Sequence, residues 1–282
     1  MARYDYQIFI PGGNKTALVY GLENDVNLCK TIQDKIIAEH QHDPDGEVEQ
    51  VGFVSTDKSK PQLTMTGGEF CGNATRSAAV YYLDGRLGQV EIVVSGVAEP
   101  LAAGIGTGGE VWAQMPVYDD VAYCVLQTKR SGLYWVMIEG ISHLIVPQLQ
   151  ALPYLTKIYE CNNADAQKEI ALSLLHKTIS EYSLPSDCSY GVIFLENIAD
   201  VIKMHPFVHV CKSDTTYYET GCGSGAICVG LVSSLLRGED VCLPLLQPSG
   251  KIIRAEVACV DGTMKGKISG EVERGEVWAV EV

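Results

Sequence analysis

The 282 residues are 46% hydrophobic and 20% charged, enough apolar material for a large core and a length that suits two domains of ordinary size. With 21 Lys and Arg against 35 Asp and Glu the formal charge is −14, which argues against nucleic acid or an anionic membrane surface as partner but leaves room for a small anion in a locally positive pocket. No run approaches the roughly 18 to 20 apolar residues of a membrane span, and Met1-Ala2-Arg3-Tyr4-Asp5 lacks the apolar core of a signal peptide, so a cytoplasmic protein is expected.

In chain order, Tyr6 to Ile10 reads as a strand, and Pro11-Gly12-Gly13-Asn14 as a Gly-rich turn into a second strand over Thr16 to Tyr20. Val26, Cys29, Ile32, Ile36 and Ile37 predict an amphipathic helix over Asp25 to Glu39. His40 to Gly46 is expected to be a solvated loop; its His40-Gln41-His42 could bind metal, but no third ligand is apparent. Short strands are expected at Glu49 to Val54, Gln62 to Thr66, Val90 to Ser95 and Val111 to Met115. Gly104 to Gly109 satisfies GxGxxG, yet the chain continues as strand rather than helix, so the run is a hairpin connection and not a dinucleotide fingerprint.

Gln114-Met115-Pro116-Val117 is the candidate domain boundary. Beyond it strands are predicted at Val121 to Gln127 and Gly132 to Ile138, then an apolar run in which His143 would ordinarily be a satisfied core histidine. Ile170, Leu174, Leu175 and Ile179 give a second amphipathic helix over Asp165 to Tyr182. Strands follow at Gly191 to Leu195 and Val201 to Cys211, where Pro206 denies the helix that a zinc-type His205/His209 pair would need. The chain ends in strands at Val241 to Leu246, Lys251 to Val257 and a single long one over Gly266 to Val282. The two halves repeat one order of elements, which makes an internal duplication of domain size.

Ten cysteines are present without any CxxC. Eight read as buried reduced thiols. The other two have matching flanks: Glu69-Phe70-Cys71-Gly72-Asn73-Ala74-Thr75 and Glu219-Thr220-Gly221-Cys222-Gly223-Ser224-Gly225-Ala226. Each precedes apolar residues at spacings of three and four, hence a helix. A cysteine at a helix N-terminus meets unpaired N–H groups and the positive dipole end, which should lower its pKa, and a ligand carboxylate can use the same donors. Two such thiols around one small amino acid suit 1,1-proton transfer: a thiolate removes the Cα proton and a thiol delivers one to the opposite face, with no cofactor and no metal required. A redox-sensing thiol pair and a non-catalytic amino-acid-binding module are the readings from other classes.

At these residues the chain resembles the diaminopimelate epimerase-like superfamily of cofactor-independent amino-acid racemases. Gly12-Gly13-Asn14, Cys71-Gly72-Asn73, Ser142-His143 and Glu219 with Cys222-Gly223-Ser224-Gly225 fall in the family's order over nearly the whole chain. The resemblance implies an α+β fold of two pseudo-symmetric domains, each a barrel-like mixed sheet around a central helix. The first would span residues 1–117, joined by a C-terminal strand at 268–282, and the second 118–267. It further implies a homodimer, with Cys71 and Cys222 as the acid/base pair. Asn14 and Asn73 would orient the substrate's α-amino and carboxylate groups, and Glu219 its ammonium or a cysteine. His143, with Gly72, Gly223 and Ser224, would line the substrate site.

Diaminopimelate epimerases carry an Arg after the Glu of the second motif, where this chain has Glu219-Thr220-Gly221, and an Asn where this chain has Gly191. A distal carboxylate would lack its partner, which disfavours diaminopimelate. Asn73 speaks against the proline racemase branch, which has His there, and Cys71 against the isomerases of phenazine synthesis, which lack that cysteine. Pro11-x-Gly13-Asn14-x-Thr16, Glu49-Gln50-Val51-Gly52-Phe53 and Gln247-Pro248-x-Gly250 are more similar to the histidine racemase branch known from staphylopine-type metallophore synthesis. That likeness implies interconversion of L- and D-histidine, with Glu49 facing the substrate imidazole; a diaminopimelate epimerase or a racemase of another amino acid is the alternative.

Overall fold

The computed structural model describes residues 2–282 except 24, 44–45, 129–131, 184–188 and 212–213. The expected buried thiol at Cys188 and the Pro44-Asp45 part of the expected loop lie outside the described residues. The chain forms two compact units, Met1–Gln114 with Ile268–Val282, and Met115–Lys267.

The elements of the first stretch are β1 (Arg3–Pro11), β2 (Lys15–Tyr20), α1 (Val26–Glu39), β3 (Val48–Val54), β4 (Gln62–Met65), α2 (Gly72–Tyr82), β5 (Gly88–Val94), β6 (Leu101–Ile105) and β7 (Val111–Met115). Then come α3 (Val121–Cys124), β8 (Val125–Thr128), β9 (Leu133–Ile138), β10 (Ile141–Val146), α4 (Gln148–Glu160), α5 (Ala164–Tyr182), β11 (Ser189–Ile198), β12 (Val201–Val210) and β13 (Thr215–Tyr218). The chain closes with α6 (Gly223–Arg237), β14 (Val241–Leu246), β15 (Ile252–Val260), β16 (Thr263–Gly270) and β17 (Val272–Glu281), the last pairing antiparallel with β1.

Both units use one pairing scheme. β1 is antiparallel to β2, β2 parallel to β3, β3 antiparallel to β4, β4 parallel to β5, and β5 antiparallel to β6. β9 through β10, β11, β12, β14 and β15 repeat that alternation. A parallel pair needs a crossover, normally helical. The first crossover of each unit (α1, or α4 with α5) carries a plain amphipathic face; the second is the helix that follows a cysteine, α2 or α6. Those two are the central helices. Every residue of α2 except Tyr81 is buried as it packs on β1 to β6, and Gly223 to Val232 of α6 are buried against β9, β10, β14 and β15.

The outer helices close the opposite sheet faces. Cys29, Ile32 and Ile36 of α1 meet Tyr6, Ile8, Ala17, Val19, Val51 and Phe53. Leu155 and Ile158 of α4 and Leu174 and Leu175 of α5 meet Trp135, Leu144, Val146, Val192 and Phe194. Strands covered on both faces read as unbroken apolar runs, which is why β10, buried at all six positions, shows no alternation in sequence.

Several expectations are corrected. Val121 to Cys124 is a helical turn, and only Val125–Thr128 is strand. The long terminal strand is two strands, broken at Glu271. α4 and β13 were not expected; Pro153 sits inside α4 and hides it from pattern reading. His40 is 2% exposed rather than solvated, its ring held by Tyr6 and Asp43. Val26 is exposed on α1. Of the expected buried thiols, Cys211, Cys242 and Cys259 are exposed and Cys161 intermediate. Cys242 shows why: β14 alternates, and Cys242 falls on its outward face.

Candidate active site

Each unit presents one cysteine as the N-cap of its central helix. Cys71 and Cys222 have extended backbones, and each sulfur accepts the N–H three residues on, from Ala74 at 3.4 Å and from Gly225 at 3.2 Å. A thiol is doing what Ser or Asp ordinarily does at that position. Gly72 and Gly223, both buried, are the first helical residues and add N–H groups that the helix itself cannot pair.

Around Cys71 the partners come from β3. The thiol lies 2.7 Å from Oε1 of Gln50 as donor. The neighbouring Glu49 accepts from Nδ2 of Asn14 at 2.7 Å, and Oδ1 of Asn14 accepts from Thr16 at 2.9 Å. Consecutive strand residues normally point to opposite faces. Here the register with β2 jumps from Lys15↔Val48 to Thr16↔Gln50, leaving Glu49 as an extra residue. Such a bulge re-aims side chains; from this segment Gln50 reaches Cys71 and Glu49 reaches Asn14. Asn14 is presented by the β1–β2 turn, where Gly12 and Gly13 both take positive φ, 62° and 91°. Asn14 is 0% exposed, with both ends of its carboxamide engaged. Asn73 is also buried, its Oδ1 taken by Nη2 of Arg76 at 2.9 Å.

Around Cys222 the sulfur is wholly buried. Its backbone N–H donates to Oε1 of Gln247 at 2.9 Å. Ser224 Oγ lies 3.6 Å from the sulfur and 2.9 Å from Nε2 of His143. His143 is fully buried on β10 and its Nδ1 has no partner. Burial pulls that imidazole down to about 3, so it is neutral. Glu219, 6% exposed, is hydrogen-bonded to the Cys222 thiol, and its own N–H donates to the carbonyl of Pro206 at 3.0 Å. The Cys222 thiol is pushed well up, by burial first and then by the Glu219 carboxylate; the Gly225 N–H and the Ser224 hydroxyl oppose this without winning. The lowering expected from the helix N-terminus is therefore overturned at Cys222: a few partial charges do not offset desolvation plus a full negative charge.

The structure thus pairs Asn14 with Glu49, Cys71 with Gln50 and Asn73 with Arg76 in the first unit, Gly72 opening the helix behind Cys71. In the second it gathers His143, Ser224, Cys222 and Glu219 beside Gly223. Gln50, Arg76 and Gln247 belong to these clusters and went unassigned in the sequence. Gln50 and Gln247 stand inside motifs already singled out, while Arg76 betrays itself only as a charge among Ala74, Ala78 and Ala79 on a helix. Among the described residues no cluster of three or more His, Cys, Asp or Glu could hold a metal, and no helix is long and apolar enough to cross a membrane.

This architecture is shared by solved structures. A PhzF-family phenazine biosynthesis protein from Bacillus anthracis matches with a TM-score of 0.64 at 13% identity, covering 100% of both chains. A hydroxyproline epimerase from Agrobacterium vitis matches at 0.59 and 13% identity, over 99% of this chain and 92% of that one. Among curated proteins, a histidine racemase of Fusobacterium nucleatum subsp. nucleatum is 27% identical, covering 93% of this chain and 94% of the relative. A histidine racemase of Staphylococcus aureus is 23% identical over 95% and 94%. Residues 4–276 match the family described as the histidine racemase CntK N-terminal domain, and the chain belongs to that family.

Proposed function

We propose that the protein is a histidine racemase that interconverts L- and D-histidine by two-base proton transfer between Cys71 and Cys222. The observation that carries the reading is that both cysteines occupy one structural position, the N-cap of the second crossover helix, in two units of the same topology. Duplicated thiols at equivalent places suit a reaction whose substrate and product are mirror images.

In this mechanism a Cys71 thiolate takes the proton from Cα, leaving the electron pair to spread into the substrate carboxylate. Backbone N–H groups at the helix N-termini, with their partial positive charge, stabilise the charge that builds there. Cys222, held protonated by burial and Glu219, gives its proton to the other face of the carbon. The reverse direction starts from the complementary protonation state, which needs a proton exchange between turnovers. No cofactor enters, because the two sulfurs supply acid and base.

Glu49 faces the substrate imidazole in this reading, and Asn14 keeps its carboxylate aimed. Asn14 and Asn73 orient the α-amino and carboxylate groups of the substrate. Ser224, supported by His143, donates to Cys222 when it is a thiolate. Both thiols must remain reduced, which places the enzyme in the cytoplasm, and the assembly is a homodimer, to be checked by sedimentation. Chiral chromatography of L-histidine incubated with enzyme and reductant tests the whole. D-histidine should appear up to an equal mixture, and Cys71→Ser or Cys222→Ser should abolish it. Racemisation at the original rate by either variant would sink the assignment.

A further inference from the structure

We propose that Arg76 is a positioning residue for Cys71: a buried cation that fixes Asn73 and places positive charge behind the reacting thiol. The inference rests on the reading of Cys71 as a catalytic thiol.

Arg76 is 0% exposed in the second turn of α2. Long helical side chains lean back towards the N-terminus, and this one does so: its Nη2 donates to Oδ1 of Asn73 at 2.9 Å. Nε and Nη1 are sealed from solvent without a hydrogen-bond partner. Buried guanidinium groups are normally matched by a carboxylate or a set of acceptors, because unpaired buried donors are costly. An apolar side chain of similar volume would fill the space without that cost. The unmatched cation makes sense where a negative charge forms nearby during function, and Cys71 is the group whose charge attracts it. Burial brings the guanidinium down to about 10, so it still carries its charge at neutral pH.

Three contributions then favour the Cys71 thiolate from one side: the Ala74 N–H, the helix dipole and the Arg76 charge acting through a low-dielectric interior. Burial and the Gln50 carbonyl, which accepts from the protonated thiol, work against them. Cys222 has no counterpart to Arg76, since position 227, equivalent in the helix, is Ile227. The two thiols are therefore biased in opposite directions, Cys71 towards thiolate and Cys222 towards thiol. Arg76 itself transfers no proton. Its bond to Oδ1 also settles the orientation of the Asn73 carboxamide, with Nδ2 directed away from the guanidinium.

The test is a pH titration of thiolate ultraviolet absorbance, taken as the difference between a protein and its Cys71→Ala counterpart, which reads Cys71 without turnover. In the wild type the midpoint should lie below the free-thiol value of about 8.5. In Arg76→Gln it should rise by about one pH unit or more, while Arg76→Lys, which keeps the charge, should move it by less than half as much. The matching Cys222→Ala difference should not move in either variant. An unchanged Cys71 midpoint in folded Arg76→Gln would overturn the proposal. Should Arg76→Gln fail to fold, Arg76→Met, which keeps much of the volume without the charge, decides by the same readout: a rise of about one pH unit supports the role and an unchanged midpoint refutes it. A midpoint that follows Arg76 in a protein inert towards histidine would keep this inference and defeat the proposed reaction.

Discussion

The hydroxyl oxygen of Ser224 lies 2.9 Å from Nε2 of His143, tying the first turn of α6 to the middle of β10. Orphaned buried N–H groups are rarer than under-used acceptors, so with Nδ1 unpartnered the neutral ring is best placed with its proton on Nε2. That proton goes to Ser224, whose own hydrogen is then available to Cys222 Sγ at 3.6 Å. Ser224→Ala breaks this chain at its centre. Loss of one hydrogen bond to a forming thiolate should lower kcat by about tenfold to a hundredfold, with KM little changed. Steady-state racemisation kinetics will show it; an unchanged kcat would remove Ser224 from the mechanism.

Gly191 gives His143 its place. A Cβ there would lie 2.7 Å from Nδ1 of the ring and 2.8 Å from the carbonyl oxygen of Phe207, both too close. Gly191→Ala should therefore destabilise the second unit by about 1–3 kcal/mol and push the ring off Ser224, lowering activity along with the melting temperature. Thermal denaturation beside the wild type is the check. A melting temperature within about 1 °C of the wild type would mean the ring moves aside freely.

His143 also sets a pH dependence. When folded it stays unprotonated down to about 3, whereas the unfolded imidazole binds a proton below roughly 6.5. In that window the unfolded state holds more protons, so stability falls as pH falls, by up to about 1.4 kcal/mol per unit for one site. His143→Gln should flatten the slope of unfolding free energy against pH between roughly 6 and 4 by about one proton. Identical slopes would contradict the burial of a neutral ring.

The thiol of Cys222 acts on the other limb. Its folded pKa is raised by burial and Glu219, so above the unfolded value of about 8.5 the unfolded chain releases a proton that the folded chain keeps. Stability is fully present below that pH and declines as pH rises. Denaturant melts at about pH 8 and pH 10 should show a smaller decline for Cys222→Ser than for the wild type.

The two cysteine caps could be read from sequence because capping is local: a Cys, then Gly and small polar residues, then an apolar period, occurs within a dozen positions. Gln50 and Gln247 could not, since their roles arise from contacts across 21 and 25 positions and Gln50 sits beside a shift in strand register that no local pattern announces. The lowered thiol expected at Cys222 failed for a related reason. A helix N-terminus is visible in sequence, but the depth of burial and the approach of Glu219 belong to the packed unit. α4 was hidden by Pro153, and the exposure of Cys242 by a strand, expected with these bounds, whose residues are apolar on both faces and so do not mark the outward one.

Proton NMR of L-histidine in D₂O with reduced enzyme tests the central claim most directly. The Cα–H signal should disappear while D-histidine accumulates with deuterium at Cα, and neither should occur with Cys71→Ser or Cys222→Ser. Retention of the Cα–H by the reduced wild-type protein, or exchange with diaminopimelate but not with histidine, would contradict the account.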